Sequence, residues 1–551
     1  MENDRAFKVI RLCSGIFFLN LFLPKSDAMN RGLLIHLQVL LMLACTFQSC
    51  NRTGKDEYAD LAARIIPLSG NNKQEIYKII NLYKHEKNDL KYKAALFVLE
   101  NMSGQYHHSG NNIARYRALF DTLNDMARKG TARFNSSWDS IQAGFDFSGD
   151  GNLVVINDLQ VIKAADFTRQ LEASFRAWNY PWARSLTFGE FCRYLLPFKL
   201  ASEEPDNWKE EIQKKYAWIA DSLQGNRDAK KVCLLLNNDL KKTFYINARF
   251  QCNWDPNYSD LCQLHTGTCT HATQMAAYIM RAMGVPVVMD YVPFWASKNG
   301  SHAWNALIDH GRSIDFVGSE TDPGMNKIEF TRTAWIRRKR AKIFRRTYEI
   351  QKNSLALTAD SSVQIPETFK SAYFIDVTKE YVPVSDVSLT VAHLPDNQRF
   401  AYLCVFNDNE WRPVCWSSLN ALGNATFRDM GRDILYLPMY YQDQEYIPAG
   451  DPFILTKKGD MEKILPDKDR KQTIVIYKKY PEDKTNDIAK GERYELFLWN
   501  NKWISQGEQL AAADSLIYKN VPSGALYWIR DLDKGRQERI FTYRDGQQVW
   551  W

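Results

Sequence analysis

Three residues near the middle of the chain, Cys269, His302 and Asp315, have the types and the order that nucleophilic catalysis requires. A thiolate can attack an acyl carbon, an imidazole can take and return the proton, and a carboxylate can hold that imidazole in one tautomer and orientation. Cys269 opens a segment in which Ala272, Met275, Ala276, Ile279, Met280 and Met283 recur at helical spacing until Gly284 and Pro286 stop it. The thiol is therefore expected at a helix N-terminus. There the unpaired N–H groups and the macrodipole favour an anion and lower a thiol pKa from its usual value of about 8.5.

The following residues must bring the other two groups to that thiol. Residues 285–292 are largely β-branched and apolar, 301–308 read as a second strand with His302 near its start, and 313–316 return after the turn Asp309-His310-Gly311-Arg312. Such a hairpin is expected to set Asp315 beside His302 on the neighbouring strand. Blander readings compete with this one. A lone cysteine is commonly a small apolar filler, and a strand histidine a satisfied core residue. Zinc ligation by Cys262, His265, Cys269 and His271 is disfavoured because the four lack a paired CxxC spacing.

At Gly267-Thr268-Cys269, residues 281–286, His302-Ala303-Trp304 and Asp315, the chain resembles the transglutaminase-like superfamily. Its papain-like core carries cysteine at a helix start, histidine in an HAW strand and aspartate on the next strand. The resemblance implies that Cys269, His302 and Asp315 are the triad and that a thioester is released to water or to an amine; no cofactor or metal is expected. It also implies an upstream polar or indole side chain assisting the oxyanion, for which Trp254 and Gln263 are both candidates. Because the superfamily includes transglutaminases, proteases, deamidases and amidases that remove glycans from proteins, the implied substrate is a protein, peptide or glycopeptide. The absence of a recognisable calcium-binding pattern favours hydrolysis of a peptide or amide bond over cross-linking. A non-catalytic peptide- or glycan-binding lipoprotein on the same fold is the rival expectation.

Around this site the expected fold class is α+β. The papain-like transglutaminase core is expected at 206–350, an N-terminal helical domain at 51–205, and C-terminal antiparallel β-sandwich units at 351–470 and 471–551. The helical expectation rests on stripes such as Ala59, Leu61, Ala62, Ile65 and Ile66. Residues 164–197 also resemble the segment preceding the core in Bacteroidetes transglutaminase-like lipoproteins. Residues 146–152 imitate half of an EF-hand loop, but Asn157 stands where the bidentate Glu belongs, so a turn is expected. Toward the C-terminus, 402–411 is echoed by 494–503 and 427–436 by 518–527, which indicates two related β units able to fold apart from the rest. Cys404 with Cys415, or Cys252 with Cys262, could bridge in an oxidising envelope.

Residues 1–50 read as an export segment. Met29-Asn30-Arg31 supplies a start and a positive charge, 33–44 an apolar run too short to span a bilayer in the usual way, and Ser49-Cys50 a small residue before a cysteine. This resembles a bacterial lipoprotein signal with Cys50 as the lipidated residue. Cys45 is the competing site and a plain signal peptide the alternative. The resemblance implies a lipid anchor in the membrane and a place in the bacterial cell envelope, at the outer membrane or the cell surface. The formal charge of +7 is small for 551 residues and makes no case for nucleic acid. The basic run Arg337-Arg338-Lys339-Arg340-Ala341-Lys342, with Arg345 and Arg346 behind it, reads as a solvated face.

Overall fold

The computed structural model describes residues 54–86, 89–128, 140–141, 153–247, 252, 254–325, 338–391, 398–481, 484–534 and 538–551, together with a short pairing of Arg11–Leu12 with Gly15–Ile16. Cys45, Cys50 and the loop at 146–152 lie outside the described residues. The chain divides into two compact units, Met1–Ala63 and Arg64–Trp551. No described helix is long and apolar enough to cross a membrane. The architecture is α+β, with helices followed by sheets that are antiparallel apart from one two-residue parallel pairing.

The sheet nearest the candidate residues has five strands: β1 (Val287–Val292), β2 (His302–Asp309), β3 (Arg312–Phe316), β4 (Phe344–Arg346) and β5 (Phe374–Asp376), in the order β5-β4-β1-β2-β3. A two-residue turn joins β2 to β3. Its central residues, His310 at φ 48° and Gly311 at φ 75°, are both left-handed, the turn geometry that matches the twist of paired strands.

Five helices pack around this sheet: α1 (Ala164–Trp178), α2 (Trp208–Lys215), α3 (Ala229–Thr243), α4 (Tyr258–Leu264) and α5 (Cys269–Ala282). Every residue of α5 from His271 onward is buried, because α1 to α4 and strands β1 and β2 all pack on it. Most of its buried polar groups are paired. Gln274 donates to the Pro256 carbonyl (2.9 Å), Tyr278 donates to Glu203 (2.7 Å), and Arg281 donates to the Val287 carbonyl (2.7 Å). Asn305 of β2 donates to the Thr273 carbonyl (2.9 Å) and accepts from Gly318 N–H (3.2 Å), which ties sheet to helix. Only glycine fits at 318, since a Cβ there would lie 2.4 Å from Ala276 Cβ.

The basic run is not a solvated face. Arg340, Lys342 and Arg345 are buried; Arg340 lies against the Trp295 and Trp304 rings, and Lys342 and Arg345 are matched to acids brought from elsewhere in the chain. Arg345 forks onto both oxygens of Asp290 (2.8 Å each) and reaches Glu380 (2.9 Å), while Lys342 pairs with Asp376. Burial raises the Asp290 pKa, and Arg345 opposes that rise.

The echoed sequences fold into equivalent sheets. In the first, β6 (Val384–Thr390) pairs with β9 (Asn424–Gly431). The order β8-β7-β10-β12-β13 runs through β7 (Phe400–Asn407), β8 (Glu410–Ser418), β10 (Ile434–Gln442), β12 (Phe453–Leu455) and β13 (Met461–Lys463), with β11 (Glu445–Pro448) on β10. In the second, β14 (Asp467–Ile476) pairs with β17 (Leu516–Ser523). The order β16-β15-β18-β19-β20 runs through β15 (Arg493–Trp499), β16 (Trp503–Leu510), β18 (Leu526–Asp531), β19 (Ile540–Arg544) and β20 (Gln547–Trp550). The tryptophans fill the core between them. Trp411, Trp499, Trp503 and Trp528 meet edge-on or tilted, in one apolar cluster that also takes in Phe344, Leu355 and Phe369. That cluster also reaches Phe344 and Tyr291 of the five-stranded sheet.

Neither expected disulfide is present, because all seven described cysteines are free. Cys415 pairs across the ladder with Leu403 rather than Cys404, which puts Cys404 and Cys415 in apolar clusters on opposite sides of the sheet. Both β units also hold the loop at 293–301 that precedes His302. Asn407 donates to the carbonyls of Trp295 (2.9 Å), Lys298 (3.0 Å) and Gly300 (3.1 Å). The fully buried Arg539 donates to the carbonyls of Ala296 (2.8 Å), Phe406 and Trp551 (2.7 Å). Replacing Arg539 leaves those acceptors buried without a donor. Arg539→Met should cost on the order of 3 kcal/mol in urea unfolding, and a cost under about 1 kcal/mol would contradict this role.

Candidate active site

The first turn of α5 is built by its own residues. Thr268 is extended at φ −70° and ψ 175°, caps the helix, and donates its N–H to His271 Nδ1 at 3.1 Å. Gly267 admits that histidine, since a Cβ there would sit 2.6 Å from His271 Cβ. On the far side of the ring, His271 Nε2 lies 3.9 Å from the Cys252 sulphur, and the Cys252 thiol donates to the Trp254 carbonyl at 3.1 Å.

Cys269 is the first residue of α5 and half-buried. Burial pushes its thiol pKa up, but the hydrogen bond and charge of His302, with the N–H groups of Ala303 and Thr270, pull it below the ordinary value. The other described cysteines go the opposite way. Burial raises Cys192 to about 12 and Cys262 to about 11, and it also raises Cys233, Cys252, Cys404 and Cys415. Cys269 thus stands apart by its surroundings.

His302 begins β2, with two indoles packed nearly parallel to its ring. Trp295 lies at 6.0 Å and 22°, and Trp304 at 5.9 Å and 23°. Both indoles are buried and cannot swing away without opening a cavity. Trp304 Nε1 donates to Tyr381 Oη (3.3 Å), and Tyr381 donates to Asp290 Oδ2 (2.5 Å), so the stack rests on the buried Asp290–Arg345 pair. The buried Arg340 guanidinium packs against both indoles, 5.7 Å from the Trp295 ring and 5.2 Å from the Trp304 ring.

Asp315 is not beside His302. The tight His310-Gly311 turn pairs Asp315 with Ala306, and β3 ends at Phe316 opposite Asn305. His302 is therefore four strand positions away, about 13 Å at the usual rise per residue. The carboxylate shares a sheet face with His302 but does not reach it.

The two oxyanion candidates have different surroundings. Gln263 is exposed and donates to Asp121 at 3.1 Å. Trp254 is buried edge-to-face against Tyr116 at 4.9 Å, and its Nε1 finds no acceptor among the described residues. Three contributors were not anticipated from sequence: His271 as helix cap, Trp295 as second indole, and the Ala303 N–H. The threonine-x-x-histidine spacing at 268–271 was a readable signal for the first. The other two depend on folding at long range.

No protein-family model matches the chain, and no curated protein matches it. Matching solved structures include a putative cysteine protease from Cytophaga hutchinsonii and red sea bream transglutaminase. The first is 15% identical at a TM-score of 0.18, covering 21% of this chain and 38% of that one. The second is 8% identical at a TM-score of 0.21, covering 81% of this chain and 77% of that one. The chain thus spans well under half the length of the first.

Burial lowers the His271 pKa to about 4 from 6.5. Between those values the unfolded chain binds a proton at His271 that the folded chain refuses, so this group weakens folding as pH falls from about 6.5 to about 4. His271→Asn should remove that contribution. The stability gap between wild type and variant should shift by about 2–3 kcal/mol in favour of the variant from pH 7 to pH 4, and a constant gap would contradict the assignment.

Proposed function

We propose that this chain is a cysteine-dependent acyl-transfer enzyme of the transglutaminase-like type, with Cys269 as nucleophile and His302 as general acid and base. The Cys269 thiolate attacks the acyl carbon of a peptide or amide bond. The C–N bond then breaks as the imidazolium of His302 returns its proton to the leaving amine, and a thioester remains. Water next attacks the thioester, His302 takes its proton, and the C–S bond breaks to give the carboxylic acid and the free thiol. Hydrolysis is favoured over cross-linking in this reading, with a protein, peptide or glycopeptide as substrate.

The observation that carries the proposal is the opposed treatment of the cysteines, in which Cys269 is lowered by its contact with His302 and the others are raised by burial. The indoles of Trp295 and Trp304 orient the imidazole, and Asp315 takes no part. A thiol-directed acylating probe should label Cys269 ahead of the six other described cysteines. His302→Ala should slow that labelling by about a hundredfold or more. Asp315→Asn should change it by less than about threefold, because Asp315 sits opposite Ala306, four strand positions or about 13 Å of backbone from His302. Equal labelling of all cysteines, unaffected by His302→Ala, would leave a binding scaffold in place of an enzyme.

The same proposal places the protein in the bacterial envelope, anchored by lipid at Cys50. Its support is the apolar run at 33–44, the small residue Ser49 before the cysteine, and the polar residues Asn51 to Glu57 that follow it. Metabolic labelling with a fatty-acid analogue tests this. Cys50→Ala should lose the label and leave the membrane fraction, whereas retained label would move the anchor to Cys45.

A further inference from the structure

A cavity of about 390 Å³ lies against the five-stranded sheet, on the face that does not carry His302. Strand alternation sets this. Tyr291 is paired with Phe344 and Arg346 with Phe374, so these four side chains share one face, whereas His302 is paired with Val292 and takes the other. The volume is in the range of about 300–1,000 Å³ that holds small ligands. Tyr291, Tyr348, Tyr373 and Phe374 give it aromatic walls, and residues 104–106, residues 199–202 and Asp255 are also in its lining.

Most charges in the lining are matched within the protein. Lys199 is taken by Asp158 (2.6 Å) and the Tyr106 carbonyl (2.8 Å), and Lys370 by Glu367 (2.6 Å). One cation and one anion are left over. Arg346 is half-buried with its guanidinium 5.9 Å over the Tyr291 ring, and among the described residues no acid or carbonyl takes its N–H groups. Asp255 is half-buried too, accepts only the Ser202 N–H (2.9 Å), and meets no cation among the described residues. A guanidinium in an aromatic recess presents a planar fork matched to a carboxylate, and a carboxylate is matched to an ammonium. A ligand of a single sign would satisfy one of these groups and be repelled by the other. A ligand that carries both charges satisfies both, and the aromatic walls offer its side chain an apolar surface.

We propose that this cavity is a binding site for a small zwitterion with an apolar side chain, a free amino acid or a dipeptide, whose carboxylate is held by Arg346 and whose ammonium is held by Asp255. The site is separate from Cys269, and the proposal stands whether or not that thiol is a nucleophile. The full chain is titrated calorimetrically at low salt and about pH 6, where an α-amino group stays protonated. The probes are L-phenylalanine, the dipeptide L-phenylalanyl-L-leucine, N-acetyl-L-phenylalanine without the ammonium, and L-phenylalaninamide without the carboxylate. At least one zwitterion should bind, the tighter of the two identifying the ligand's length, and each blocked analogue should bind about tenfold more weakly or worse, the size of one charge-assisted contact. The variants should separate the two ends. Arg346→Gln should weaken the zwitterion and the N-acetyl analogue but leave the amide unchanged. Asp255→Asn, which keeps an acceptor for the Ser202 N–H, should weaken the zwitterion and the amide but leave the N-acetyl analogue unchanged. Thermal unfolding verifies that both variants are folded. Binding of neither zwitterion at millimolar concentration, or blocked analogues that bind wild type as well as the zwitterions do, would overturn the proposal without recourse to the variants.

Discussion

Ionising a half-buried thiol is unfavourable unless nearby groups offset the desolvation, and at Cys269 that offset comes chiefly from His302. The helix start alone does not distinguish this thiol from a filler. What does is the imidazole against it, with two backbone N–H groups added. Elsewhere in the chain the same burial acts unopposed and leaves a structural cysteine, as at Cys233 and Cys404. Nearly every feature of the surrounding fold bears on keeping one contact, between the first residue of α5 and the first residue of β2.

Two supports keep it. From below, the completely packed helix α5 and the Asn305 and Gly318 contacts fix the sheet against the helix. From outside, Trp295 and Trp304 clamp the imidazole, and the loop carrying Trp295 is itself held by Asn407 of the first β unit and Arg539 of the second. The two C-terminal sheets are therefore part of the support for the site rather than appended modules. Their common apolar cluster with Phe344, Leu355 and Phe369 makes the same point in the core.

What was legible in sequence was local. The helix beginning at Cys269, the strands around His302 and the equivalence of the two β units each rest on periodicity and turn chemistry within about twenty residues. What failed required position along an element or partners far away in the chain. Strand alternation told which face Asp315 shares with His302 but not how far along the strand it lies, and the two-residue turn decides that distance. The basic run was misread because the acids that bury it, Asp290, Asp376 and Glu380, lie 34 to 55 residues away. Cys404 and Cys415 are close in sequence yet occupy opposite sides of a sheet. The indole clamp was half visible, since Trp304 follows His302 at strand spacing while Trp295 comes from a loop whose course the β units set.

The central claim is that His302 lowers the Cys269 thiol pKa below that of an ordinary thiol in spite of its burial. Its most direct measurement is the ultraviolet absorbance of the thiolate across pH, taken as the difference between wild type and Cys269→Ser, and repeated in a His302→Ala background. The account predicts a titration midpoint below that of an ordinary thiol in wild type, moving upward when His302 is removed. A midpoint at or above the ordinary thiol value in wild type, unmoved by His302→Ala, would contradict it.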